Sequence, residues 1–253
     1  MAFVLAVTNQ KGGVGKTTTA VKLAAQLAST KRRVVLVDLD PQGNATSSLG
    51  IDKASLKHSI YESLTKAVPV QSVLLATNTK NLYVLPANAT LAQAEVDLVQ
   101  VENREFKLKE LLSTVDADVV IIDCPPALGL LTVNALTAAD GVIIPVQSEY
   151  FALEGLSQLM QTIQLVRHGL NPSLTIFGVV LTMFVKRMVL GEQVKAELEQ
   201  HFGGRLFRTV VPRNIRLAEA PSYGKTIFEH DKWSRGARAY KALAQEVVER
   251  AGL

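Results

Sequence analysis

Residues 10–18 read Gln10-Lys11-Gly12-Gly13-Val14-Gly15-Lys16-Thr17-Thr18, and they lie between an apolar run, 3–8, and a helical pattern, 17–29. Glycines in such a loop leave backbone N–H groups uncovered by any Cβ, and the helix that follows adds its positive N-terminal end. Together they form a cradle for phosphate oxygens at the carboxyl end of a strand, which restricts the chain to an α/β sheet with that strand inside it. A plain glycine turn would not require Lys-Thr-Thr at this offset. In the cradle Gly12, Gly13, Val14 and Gly15 present amides. Lys16 supplies a cation to the β- and γ-phosphates, Thr17 a hydroxyl for Mg²⁺, and Thr18 a hydroxyl for the α-phosphate, so ATP with Mg²⁺ is the expected ligand pair. One position departs from the strict pattern: Gln10 stands where the first glycine belongs.

Short runs rich in Val, Ile and Leu recur at 34–38, 82–86, 119–123, 141–146, 176–181 and 206–211. They lack polar alternation, as strands buried on both faces of a parallel sheet do. Helical patterns at 106–112, 153–167, 191–201 and 234–250 fall between and after them. This alternation predicts a doubly wound three-layer sandwich with a mostly parallel sheet, as a single domain over residues 1–253. The segment 44–80 is polar and irregular and reads as surface helix and loop.

Two further stretches place acids where ligands of such a sheet bind. Asp38-Leu39-Asp40-Pro41-Gln42-Gly43-Asn44 ends the second predicted strand, so both carboxylates reach the phosphate end of the sheet. The run Val119-Val120-Ile121-Ile122-Asp123 has the form of a Walker B strand, whose carboxylate holds Mg²⁺ directly or through water. Taken alone, Asp123 would read as a helix N-cap; beside the phosphate loop it reads as a metal residue, with 123–129 as a switch segment.

The charge is unevenly spread. Residues 1–185 carry 14 Lys/Arg against 15 Asp/Glu, whereas 186–253 carry 13 against 8. The basic excess of the last quarter is the electrostatic footprint of a polyanion partner. The lone cysteine, Cys124, offers neither an internal disulfide nor a thiolate metal cluster, which fits a reducing cytoplasmic setting. Residues 1–10 lack a basic leader and read as a strand. No apolar run reaches about 18 residues.

KGGVGKTT with its extra lysine, Lys11, resembles the deviant Walker A loop of the ParA/MinD group of P-loop ATPases. DLDPQGN (38–44), DCPP (123–126), PVQ (145–147), EYFALEGL (149–156), LTM (181–183), VPRNIRLAEAPSY (211–223) and SRG (234–236) extend the likeness to the ParA/Soj partition ATPases over almost the whole chain. The resemblance implies that Lys11 reaches the nucleotide of a partner copy, so that ATP binding makes a homodimer. Asp40 would position the attacking water and take part in the metal shell, with Asp38 supporting it or the metal. Pro212, Arg213 and Asn214 would line the adenine pocket, and Arg187 and Arg216 would contact double-stranded DNA without sequence preference. A ParB-like protein would stimulate hydrolysis, and the protein would be cytoplasmic and nucleoid-associated. One stretch departs from the family: Val185-Lys186-Arg187 replaces an Asp-Ala-Arg type run, removing an acid.

Three rivals share parts of the pattern. A MinD-like membrane ATPase needs a basic amphipathic C-terminal helix, whereas this tail carries Glu246 and Glu249 beside Arg250, so no stable membrane association is expected. A dethiobiotin-type ligase would need a small-substrate motif that is not seen. A nucleotide-dependent assembly protein without turnover would not need both Asp40 and Lys11. The iron proteins related to nitrogenase use the same loop but need two cysteines.

Overall fold

The computed structural model describes residues 2–149, 154–186 and 188–253, so Arg187 and residues 150–153 lie outside the described residues. The strands are β1 (Phe3–Val7), β2 (Val34–Asp38), β3 (Leu75–Ala76), β4 (Leu82–Leu85), β5 (Val119–Asp123), β6 (Gly141–Gln147) and β7 (Thr175–Thr182). They form one sheet in the order β3-β4-β2-β5-β1-β6-β7, parallel throughout except for β3 against β4.

The pleat of each strand sends alternate side chains to opposite faces, and here both faces are apolar. Val4, Ala6, Val35, Val37, Val120 and Ile122 pack on one side. That side is covered by α3 (Ile60–Thr65), α4 (Ala94–Asp97), α5 (Lys107–Leu112), α6 (Leu130–Ala138), α7 (Glu154–Gly169) and α8 (Val189–Phe202). Leu5, Val7, Leu36 and Ile121 face the other side. There they meet α1 (Lys16–Ala28), α2 (Asn44–Ser48), α9 (Ile215–Glu219), α10 (Ile227–His230) and α11 (Arg235–Ala251). This is the doubly wound three-layer sandwich expected from the sequence. Strand order reverses beside β1, which has β5 on one side and β6 on the other, so the crevice for a ligand opens at the carboxyl end of β1.

The structure differs from the sequence reading at three places. The run 206–211 forms only isolated bridges to β7 and its extension, Val179 with Leu206 and Phe184 with Pro212. Phe207 N and Val211 N do bond to Val179 O and Leu181 O. The amides between them are diverted: Arg208 N and Thr209 N donate to the Glu246 carboxylate at 2.9 and 3.1 Å. Within 44–80 the two-residue strand β3 adds an antiparallel edge. Helix α6 was missed because its sequence, LLTVNALTA, is apolar on nearly every side and carries no 3.6-residue stripe.

Glu246 therefore ties α11 to the last crossing of the sheet. It is almost fully buried and also accepts from Arg250 at 2.9 Å, while Arg250 donates to the carbonyls of Phe177, Arg205 and Leu206. Burial alone would raise its pKa, but the two amides and Arg250 hold the carboxyl below the ordinary glutamate range. A lowered folded pKa stabilises above the unfolded value and is lost as pH falls through the folded one. Glu246→Ala is expected to cost about 3 kcal/mol in urea unfolding at neutral pH. The gap to the parent should narrow below the ordinary carboxyl value of 4.5. An equal gap at pH 7 and at about pH 3.5, below the ordinary carboxyl value, would contradict the assignment.

Candidate nucleotide site

The loop between β1 and α1 is shaped by glycine and held by polar staples. Gly13 and Gly15 have φ of +75 and +90, a region that L side chains enter at a cost. A Cβ on Gly12 or Gly13 would meet nothing within 4 Å, so these glycines serve backbone shape and exposed amides instead of close packing. The Asn9 amide donates to Pro145 O at 2.7 Å, and its oxygen accepts from Lys11 N at 3.0 Å. The Thr182 hydroxyl, at the end of β7, lies 2.8 Å from Val14 O and 3.2 Å from Val146 O. Asn9 and Thr182 are buried. Sequence reasoning gave neither a role; the available signal was a polar residue closing an apolar strand.

The two loop lysines occupy different environments. Lys16 is 7% exposed, and its ammonium donates to Lys11 O at 3.1 Å. Burial pulls its pKa below the ordinary lysine value, against the raising pull of Asp123 and Asp40. Lys11 sits at the surface, where its ammonium meets Glu149 at 3.4 Å.

Asp123 and Asp38 are register partners at the ends of β5 and β2, and both are fully buried. Asp38 is satisfied: it accepts from Thr46 N and Thr46 Oγ1, each at 2.7 Å, and from Asp40 N at 3.3 Å. Burial still pushes it up to about 6, with the Thr46 bonds pulling the other way. Its observed task is to anchor the loop after β2. Asp123 is not satisfied. Neither oxygen has a hydrogen-bond partner of ordinary geometry among the described residues. Burial and then the Asp38 charge push its pKa well above the carboxylate range; the Thr17 hydroxyl and Lys16 pull it down. Asp40 has its Oδ1 2.9 Å from Gln42 N, at the rim of the same crevice.

An orphaned buried carboxylate beside a threonine hydroxyl fits a hydrated Mg²⁺. Among the described residues no three His, Cys, Asp or Glu side chains converge to hold a metal alone, so Thr17 and phosphate oxygens would complete the shell around Asp123. Next to the loop, Gly15, Thr18, Thr182, Met183, Pro212, Arg213, Asn214 and Tyr240 line a cavity of about 490 Å³. It is wide enough for a purine and adjoins the phosphate cradle. A larger cavity of about 590 Å³ around Arg208 and Glu249 lies away from these groups. Cys124 is buried with its thiol pushed up by burial, so it offers no nucleophile. The Arg216 side chain is half-exposed and paired with Glu219 at 2.8 Å and Asp231 at 3.7 Å.

Comparison with known proteins agrees with this geometry. A family described as an AAA domain matches residues 2–176. The chain is 54% identical over 250 residues to the sporulation initiation inhibitor protein Soj of Bacillus subtilis, covering 98% of this chain and 99% of that one. The chain belongs to the ParA/Soj family of partitioning ATPases. It is 52% identical to the chromosome partitioning protein ParA of Myxococcus xanthus, over 98% of this chain and 88% of that relative. A solved structure from Mycobacterium smegmatis, described as cobyrinic acid a,c-diamide synthase with bound ADP and magnesium, superposes with a TM-score of 0.89 and is 39% identical, covering 100% of this chain and 96% of that one.

The staples make a prediction for this family member. Thr182→Val keeps the shape but removes the hydroxyl that ties Val14 O to the end of β7, so ATP affinity should fall by about tenfold with the fold retained. Titration with a fluorescent ATP analogue checks this, and an unchanged Kd would contradict the stapled-loop account.

Proposed function

We propose that this ParA/Soj-family ATPase is a switch that closes as a homodimer around two Mg·ATP and binds double-stranded DNA in that state, driving chromosome or plasmid segregation with a ParB-like partner. The observation that carries the reading is the split between the two loop lysines, Lys16 buried within the glycine loop and Lys11 at the surface. Lys16 serves its own nucleotide. Lys11 can leave the weak, half-exposed pair with Glu149 at little cost, since such surface pairs contribute ~1 kcal/mol or less. It then faces the phosphates of a second copy.

In hydrolysis the water oxygen bonds to the γ-phosphorus while the bond to the β–γ bridging oxygen breaks. Mg²⁺ supplies charge neutralisation at the phosphates when bound. Asp40 orients the water, Thr17 and Asp123 fix the metal shell, and Lys16 with the partner subunit's Lys11 neutralises the charge that gathers on the departing ADP. Pro212, Arg213 and Asn214 hold the adenine.

DNA binding is supported by a cluster of basic side chains that form no ion pair with an acid among the described residues. Lys186, Arg213, Arg235 and Arg238 line a cavity of about 500 Å³ whose described lining holds no carboxylate. Arg216, paired with two acids, is a weaker phosphate contact than these, and Arg187 lies beside Lys186 in the chain. The membrane alternative is disfavoured because Leu243, Ala244 and Val247 of α11 are buried in the core, so that face is not free for lipid. No helix among the described residues is long and apolar enough to cross a membrane. A synthase activity is not adopted: amidation driven by glutamine calls for an accessible nucleophilic thiol, and Cys124 is buried.

Binding to DNA and to anionic vesicles, each with and without ATP across a salt series, tests the reading. DNA binding should require ATP and weaken steeply with salt. Lys16→Ala should abolish ATP binding, and Asp40→Ala should leave ATP-dependent dimers that hydrolyse slowly and stay on DNA. Replacing Arg235 and Arg238 by Ala should flatten the salt dependence by about two contacts. ATP-dependent vesicle binding without DNA binding would overturn the proposal.

A further inference from the structure

Helix α6 begins at Leu130, immediately after the switch segment 123–129, and its N-cap is Gly129, which has no side chain to receive the first amides. The missing acceptor comes from elsewhere in the chain. Glu95, on α4, places Oε2 2.9 Å from Leu130 N and Oε1 3.2 Å from Leu131 N. A carboxylate there also meets the positive end of the helix. The fit is close: a Cβ on Gly129 would fall 2.5 Å from Glu95 Oε1.

The stretch that carries Glu95 touches the segment after β2 at its opposite end. Ala87 N donates to Thr46 Oγ1 at 3.0 Å, and Thr46 is the residue that Asp38 holds. A Cβ on Gly43 would fall 2.6 Å from Ala87 O. Between these ends Leu91 and Ala94 are fully buried in the core, and just beyond Glu95 the stretch is fixed by buried Leu98 and by the Tyr61 hydroxyl, which donates to Asp97 at 2.6 Å. One rigid stretch thus bears on the segment after β2, which holds Asp40, and on the segment after β5, which holds Asp123.

We propose that Glu95 is a positioning residue for ATP hydrolysis, setting the 123–129 segment by capping α6 and tying it to the 38–46 segment. It touches neither nucleotide nor water. Both of its carboxyl oxygens are taken up by the α6 amides, so its effect is on geometry. This rests on the ATPase reading above. Small displacements of groups around a reacting phosphorus are costly in rate and cheap in affinity when the phosphate loop itself is untouched.

Turnover and nucleotide Kd measured separately for Glu95→Ala, Glu95→Gln and Gly129→Ala, each with a melting temperature, test the proposal. Glu95→Ala should lower kcat by about tenfold while Kd stays within about twofold. Glu95→Gln should fall between, since its amide oxygen still accepts one N–H. Gly129→Ala reaches the same end without altering Glu95, because its Cβ displaces the carboxylate; its kcat loss should match, and the double variant should be no worse than either. If Glu95→Ala does not fold, Gly129→Ala decides. Wild-type kcat in Gly129→Ala, and in Glu95→Ala where that folds, with only the melting temperature lowered, would show a structural cap and overturn the proposal. Absence of ATP turnover in the parent protein would instead overturn the underlying ATPase reading.

Discussion

Ionising a carboxyl group that is cut off from water costs several kcal/mol unless a cation or donor meets it, and Asp123 is buried at the end of the central sheet with no ordinary hydrogen-bond partner among the described residues. The rest of the site is arranged around that cost. Asp38 sits directly across the register and is itself pushed up by burial, so the pair raises the local demand for positive charge. Lys16, buried and destabilised as a cation, answers part of it, and the glycine loop turns its amides toward the same crevice. A bound metal and phosphate would relieve all three groups at once.

Around this centre the structure keeps the moving parts attached by few, specific bonds. Asn9 and Thr182 hold the phosphate loop to β6 and β7; Thr46 holds the segment after β2; Glu95 holds the one after β5. Asn9, Thr46 and Thr182 are buried and Glu95 is half-buried, and each side chain reaches a backbone group distant in the chain. Such bonds contribute modestly when made and cost much more when broken, which suits segments that must be held in one geometry. Lys11 is the exception. Its pair with Glu149 is half exposed and readily given up, as the proposed trans role requires.

Much of this was legible in the sequence, and the limits were physical. The phosphate loop, Asp40 and Asp123 could be read because local chemistry and position on a strand end determine them. Buried parallel strands announced themselves as Val/Ile/Leu runs. The run 206–211 had the same look, yet Glu246 takes two of its amides, and no local pattern records a bond made to a carboxylate near the end of the chain. Helix α6 was hidden because burial on most sides erases periodicity. Asn9, Thr182 and Glu95 escaped for one shared reason: their importance lies in contacts across the fold. The basic final quarter was visible as net charge, but only the structure separates Arg216, already paired, from the cavity of Lys186, Arg213, Arg235 and Arg238.

The central claim is that the nucleotide site is completed by a second copy. Specific ATPase activity measured over a wide range of protein concentration, with sedimentation on the same samples, tests it most directly. Activity per chain should rise with concentration in step with the ATP-dependent dimer, and both should be lost together in Lys11→Ala. Activity per chain that stays constant while the protein sediments as a monomer with ATP bound would contradict the account.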